Sequence, residues 1–294
     1  MASEPQGLPV FELQIYFVSA LVSAAIWTLP AAAISLIYGV LRYPNFAITE
    51  FMTLGAYLAL FLCGFSFPLW FAAPLAAVLT GFVALAFDQT LFRSVRRAGA
   101  LPPVLLSLGL MLFLQNAVRF LWGNDVLQYP IPLSRPFVIA GFVITPTQAI
   151  MIVSVLVILL LSIVGLRMTA FGRAVRATST NPELAVVTGV RPEIVYGGVI
   201  FISGFLAAIG GVALATETTL TPLLGWRVLI PLFAVAILGG LGSVIGAAYA
   251  ALLLGLVSEF SLLVLPATYK TALAFLVLAA VLLVRPTGLI RAGD

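Results

Sequence analysis

The sequence predicts an all-α protein, a polytopic transmembrane helical bundle with eight long spans plus one short or re-entrant helix. Three observations predict it. Of 294 residues, 63% are hydrophobic and only 8% charged, whereas soluble domains carry about 25% charged residues. The apolar residues fall in runs close to the roughly 20 that cross the hydrocarbon of a bilayer. The 14 Lys and Arg and 10 Asp and Glu are too few to clothe a soluble surface, and the basic ones gather in short connections, as in proteins whose membrane orientation is set by charge. Backbone groups in lipid must be bonded within their own segment, so the long apolar runs are helices.

In chain order, spans are predicted near 14–41, 50–66, 68–88, 101–122, 148–166, 194–215, 243–263 and 270–285, making residues 1–294 one transmembrane domain. Met1 to Glu12 contain Glu4 and Glu12 but no Lys or Arg. They lack the positive region of a cleaved signal peptide, so the first span is expected to be retained. The run at 228–240 is shorter, about 13 residues or roughly 20 Å of helix. It lies between Pro222 and the break Gly239-Gly240-x-Gly242, and either crosses as a half-helix or re-enters.

Charge chooses between these. If the short run crosses, Arg42, the cluster Arg93, Arg96 and Arg97, the cluster Arg167, Arg173, Arg176 and Arg191, and the pair Arg285 and Arg291 share one side. Arg119, Arg135, Arg227 and Lys270 are left opposite. Because cytoplasmic loops retain positive charge, nine crossings are expected, with the N-terminus outside and the C-terminus in the cytoplasm. Residues 123–147, rich in Pro and aromatic side chains, form an outer connection.

Composition also excludes chemistry. A single cysteine, Cys63, and no histidine leave no intrachain disulfide, no cysteine-rich or histidine-ligated metal site and no Ser-His-Asp triad. The basic residues are not interleaved with an aromatic platform, which argues against nucleic acid as a partner. The glycine cluster ending at Gly246 lacks the lysine of a phosphate-binding loop. No cofactor is expected in this chain.

Four segments are candidates for function. In Arg42-Tyr43-Pro44-Asn45-Phe46-Ala47-Ile48-Thr49-Glu50, Pro44 denies a helical hydrogen bond, so Asn45 and Glu50 come near the membrane boundary as pore or gating groups. The plainer reading is an interhelical turn in which Asn45 or Thr49 caps the next helix. In the loop 167–193, Asn181 or Thr180 can cap a helix whose first turn holds Pro182 and Glu183 and which stops at Gly189. This single surface helix of about seven residues is too short to stand alone in water; it is a docking element or a plain connection. Gly239, Gly240 and Gly242 allow close packing or an unwound backbone beside a solute path. Gln115, Asn116, Glu217 and Glu259 are isolated polar groups at membrane depth, the two acids also fitting span ends at the outer interface.

Taken together, these residues resemble the branched-chain amino acid permease subunit of bacterial ATP-binding-cassette (ABC) importers, the type with an Asn-Phe-Ala-x-x-Glu turn. The resemblance rests on Tyr38-Gly39, Asn45-Phe46-Ala47 with Glu50, Gly55-Ala56-Tyr57, Phe113-Leu114-Gln115-Asn116 and Gly172-Arg173-Ala174-x-Arg176-Ala177. Gly189-Val190, Leu238-Gly239-Gly240-x-Gly242-Ser243, Tyr269-Lys270 and Arg285-Pro286-Thr287-Gly288 extend it over nearly the whole chain. It implies a second permease subunit, two cytoplasmic ATPases that bind the ATP, a periplasmic solute-binding protein and a place in the bacterial inner membrane. It also implies that the helix near Asn181 to Gly189 is the coupling helix, with Arg173, Arg176, Asn181, Glu183, Ala185 and Gly189 in the ATPase-coupling region. The chain departs from the family at Ile48-Thr49, where His-Gly is usual, at Ser258-Glu259, where the acid is shifted by one, and at Pro231, where lysine is frequent. These departures bear on the solute more than on the mechanism.

The competing readings are an ion-coupled secondary carrier and a lipid transferase. The first needs intramembrane ionisable groups, and Glu50, Glu217 and Glu259 all fall near predicted span ends. The second needs clustered acids, and the ten here are scattered.

Overall fold

A computed structural model of the chain describes residues 10–96, 98–131, 135–139, 142–285 and 288–290. Arg97, Pro286, Thr287, Arg291 and the segment containing Glu4 lie outside the described residues.

Every predicted span is a helix: α1 (Val10–Leu41), α2 (Ile48–Gly64), α3 (Leu69–Phe87), α5 (Leu101–Trp122), α6 (Pro146–Met168), α9 (Pro192–Glu217), α10 (Leu224–Gly239), α11 (Val244–Phe260) and α12 (Lys270–Val284). α3 runs on through a π-helical turn, Asp88–Phe92, into α4 (Arg93–Val95). Of the eight long spans expected, six are helices long and apolar enough to cross a membrane by length and composition among the described residues. The apolar helices Ile48–Gly64, Leu224–Gly239 and Ala272–Val281 are shorter. The first two are short because the chain enters them through irregular backbone that is itself buried. Tyr43, Asn45 and Ala47 are buried ahead of α2, and Leu220 and Thr221 ahead of α10.

The single coupling-loop helix is also corrected. The chain forms α7 (Ala170–Thr180) and then α8 (Pro182–Val187). The Thr169 side chain accepts from Gly172 N and starts α7, while the extended backbone of Asn181 ends it. Asn181 Oδ1 accepts from the N–H groups of Glu183 and Leu184, capping α8 as the sequence suggested. Gly189, at φ +85°, turns the chain out of that helix. In the outer connection, β1 (Phe137–Ile139) and β2 (Phe142–Ile144) form an antiparallel hairpin whose Phe142 ring lies 5.8 Å from Phe17 of α1.

α1 and α9 form the core. The most apolar windows of their spans are 83% and 78% buried, against 17% for α6, which is peripheral. Ser203 Oγ donates to Ala33 O at 3.3 Å and Gly210 faces Pro30, so the two run antiparallel and Leu41 ends beside the start of α9. Gly39 meets Gly242, which places the end of α10 there too. The α9–α10 segment therefore passes back along the bundle, although α10 has only 16 residues.

This end of the bundle gathers the basic residues. Arg42 Nη2 donates to Ser179 O of α7, Arg96 reaches Glu193 at the start of α9, and Gly288, three residues after Arg285, faces Gly240. The break there uses glycine for two reasons. Gly240 and Gly242 take φ of +95° and +100°, and a Cβ on Gly246 would collide with the carbonyl of Gly239. The last described residues complete it: Leu289 N donates to Leu238 O at 2.8 Å and Ile290 N to Gly239 O at 3.3 Å. These bonds take up carbonyls that the end of α10 leaves without helical partners.

Gly246→Leu should lower the thermal stability of the detergent-purified chain by the overpacking cost of about 1–3 kcal/mol or more. Gly64→Ala, at a position with nothing within 4 Å, should leave the melting temperature unchanged.

Candidate functional site

Two polar sites stand out against the apolar bundle. The first is buried where α2, α5 and α10 meet. Phe46 N donates to Ser107 Oγ at 3.2 Å, and the Phe46 ring stacks on Phe233 of α10 at 4.8 Å. These contacts tuck the turn into the bundle. Asn45 Oδ1 accepts from Ala47 N at 3.0 Å, bracing the turn, and Thr49 Oγ1 donates to Phe46 O; neither side chain caps α2. The capping expected of Asn45 or Thr49 is corrected, because both groups are committed to the turn itself.

Glu50 then falls inside. It is 0% exposed, and neither carboxylate oxygen has a hydrogen-bond partner among the described residues. Its position in the first turn of α2 looked like a span end; the inward path of 42–47 makes it a core position. Gly225, in the first turn of α10, donates through its N–H to Thr53 Oγ1 at 2.9 Å and packs on the Thr49 carbonyl, where no side chain would fit. Arg119 acts electrostatically on Glu50, and its Nε is buried without a hydrogen-bond partner among the described residues. Gln115, one helical turn before Arg119, is buried; Asn116 is exposed on the other side of α5 and donates to Leu112 O at 2.7 Å. Gln115 thus faces the bundle interior and Asn116 does not.

On the far side, Tyr129 closes the site's surroundings. Its hydroxyl donates to Ala56 O at 2.8 Å, and burial pushes its pKa upward, so it stays a neutral donor. Glu217 accepts from Gln148 Nε2 at 3.3 Å, and Glu259 accepts from Ser23 and pairs with Lys270 at 2.7 Å. Both acids sit at helix ends, Glu217 as the last residue of α9 and Glu259, which is buried, one residue before the end of α11.

The second site is at the arginine-rich end. Arg96 pairs with Asp88 at 2.6 Å and Glu193 at 2.8 Å, and its guanidinium carbon lies 4.5 Å from the Tyr196 ring centroid. This ties the π-helical end of α3 to α9. Beside it, Arg176 donates to the carbonyls of Leu166 and Arg167, and Arg173 donates to Met168 O at 3.5 Å, fastening α7 to the end of α6. Ala185 is buried, while Glu183 and Gly189 are exposed. Leu184, Val186 and Val187 project outward at 63%, 57% and 84% exposure.

Comparison with known proteins gives this arrangement a family. A family model described as "Branched-chain amino acid transport system / permease component" matches residues 16–284. The chain belongs to that permease family. It is 29% identical over 288 residues to the high-affinity branched-chain amino acid transport system permease protein BraD of Pseudomonas aeruginosa, covering 93% of this chain and 94% of that protein. It is 27% identical over 279 residues to LivH of Escherichia coli K12, with the same description, covering 90% and 91%. An autoinducer 2 import system permease protein, LsrC of Yersinia pseudotuberculosis, is 30% identical over 72% of this chain and 60% of its own length. Among solved structures, PsaBC from Streptococcus pneumoniae in complex with Fab aligns over 92% of this chain and 91% of that chain, at 14% identity and a TM-score of 0.44.

This permease is therefore a multi-pass membrane protein of transport. Two of its features escape a reading of the sequence by motif. Arg119 had a signal: it lies four residues after Gln115, on the same face of a predicted span. The Asp88–Arg96–Glu193 set did not, because it joins residues across two helices.

Removing Arg96 should be costly. Arg96→Ala leaves Asp88 buried without its cation, a change that costs about 3–5 kcal/mol for such pairs. Glu193→Gln, at a half-exposed carboxylate, should cost about 1 kcal/mol or less. Thermal denaturation of the two purified variants tests the order.

Proposed function

We propose that this permease is a pore-forming subunit of an ATP-driven importer in the bacterial inner membrane. In this reading it accepts an amino acid, branched-chain by family, from a periplasmic binding protein and releases it to the cytoplasm. It performs no catalysis. Two cytoplasmic ATPases bind and hydrolyse ATP, a second permease subunit completes the pore, the arginine-rich end and the C-terminus face the cytoplasm, and the N-terminus faces outward.

The observation that carries the reading is α8. A six-residue helix is too short to be stable alone, yet it is capped by Asn181, seated through buried Ala185 and held by Val190 N donating to Ala185 O at 3.0 Å. It presents three adjacent apolar side chains beside arginines, where water would otherwise meet them. Such a rigid, apolar projection suits insertion into a groove of a partner whose motion it transmits. The route for the solute runs past Glu50 and Arg119. An amino acid carries an ammonium and a carboxylate, and these two side chains complement both. Gly239, Gly240 and Gly242, packed on Gly246, Gly288 and Gly39, form the joint at the end of α10 about which gating would turn that helix.

Val187→Asp should reduce recovery of the ATPases with affinity-purified permease by about tenfold or more, the effect of losing an interface anchor. Glu50→Gln and Arg119→Gln should each slow amino acid uptake in the assembled importer by about tenfold, as expected for losing one charge-assisted contact. The buried Glu50 carboxylate also suits a second reading, an ion-coupled carrier. Proteoliposomes containing this chain alone decide between them: amino acid uptake driven by an ion gradient, with no ATPase present, would refute the importer.

A further inference from the structure

We propose that the groove between α3 on one side and α6 and α9 on the other binds one phospholipid of the leaflet at the arginine-rich end, with its phosphate on Arg93. Two cavities, about 380 and 770 Å³, make up the groove and are joined through shared walls at Phe171, Phe201 and Ile202. The first is bounded by Val78, Ile158, Leu161 and Gly165, and the second opens past Phe82 and Leu85 to Gln89, Arg93 and Glu193. Its hydroxyls are already engaged: Ser162 donates to Ile158 O and Thr169 to Gly165 O. The walls are thus apolar until the last turn, where charge appears.

The groove exists because α6 packs loosely on the bundle, as its low burial shows. Phe82 and Leu161 on opposite sides are 56% and 64% exposed, so the groove opens outward along its length. In water such walls would favour closure. In a bilayer they are filled by hydrocarbon.

Length selects one lipid. From Val78 to Arg93 the helix rises about 22 Å, and one leaflet measures about 20–22 Å from headgroup surface to midplane. A smaller apolar cavity of about 240 Å³ beside Trp70 and Thr216 shares Ile158 with the groove and lies in the opposite half of the bundle.

Charge selects the headgroup end. Asp88 and Glu193 are both bonded to Arg96, at 2.6 and 2.8 Å. Arg93 touches Glu193 only through Nε at 4.0 Å, and its side chain is 66% exposed. The guanidinium fork suits two phosphate oxygens, and Gln89 lines the same cavity as a further donor.

The test uses the complete permease in nanodiscs containing a phospholipid with a photoactivatable group on its acyl chain, with labelled residues mapped by mass spectrometry. Labelling should concentrate on Leu161, Phe201 and Ile202. Arg93→Gln should reduce it about fivefold, the value of one basic contact at a membrane surface, while Arg93→Lys retains most of it. Gly165→Phe should also reduce it by obstructing the groove, since a side chain there meets nothing within 4 Å. The proposal fails if these positions label no more than Phe120 and Leu121 on the exposed face of α5. It fails equally if Arg93→Gln changes nothing, or if a helix of a neighbouring subunit is crosslinked in the groove.

Discussion

The structure depends on one constraint: every backbone N–H and C=O inside the hydrocarbon needs a partner supplied by the protein. Helices meet it internally, but this chain breaks helix where it is buried. The turn at 42–47 is satisfied by Ser107 and Asn45, and the lead-in to α10 by a two-way pairing of Leu220 with Leu127. The first turn of α10 finds Thr53, and its last carbonyls find Leu289 and Ile290. Each irregular segment thus stays in the bundle because a particular neighbour accepts or donates to it. The turn at 42–47 and the lead-in to α10 border the same two helices, α2 and α10, so polar groups gather between them.

Close helix packing follows from small side chains. Gly55 opposite Ala208, Gly204 beside Ala84 and Gly255 beside Ala24 bring backbones together along α9 and α11. Without a hydrophobic drive between helices in lipid, such contact surfaces supply van der Waals attraction instead. The bulky residues are displaced outward: Phe61, Phe71, Phe82 and Phe120 are exposed on the chain. Alanine and glycine thus mark the closest helix contacts, within a core that also buries Leu29, Ile34, Ile37 and Leu206, while these phenylalanines face outward.

Much of this was legible in the amino-acid order. Apolar runs located every spanning helix, because lipid imposes both length and composition. Asn181, Pro182 and Gly189 placed α8 through cap chemistry that acts within a few residues. The number of spans long enough to cross unaided was not legible, because hydropathy marks the apolar runs of α2 and α10 without showing that each is entered through buried irregular backbone. The burial of Glu50 was missed for the same reason: its depth is decided by Phe233 and Ser107, distant residues that draw the turn inward. Likewise, α7 joined α8 where one helix was expected, since Thr169 caps through a local hydroxyl whose signal competes with many other threonines.

The pairing of residues 289 and 290 with the end of α10 orders events in time as well as in space. A ribosome delivers α10 more than forty residues before these partners, so the glycine break stays open until residues 289 and 290 emerge. Closure of this end of the bundle therefore waits on α11 and α12, and a change at residues 289 and 290 acts on assembly directly.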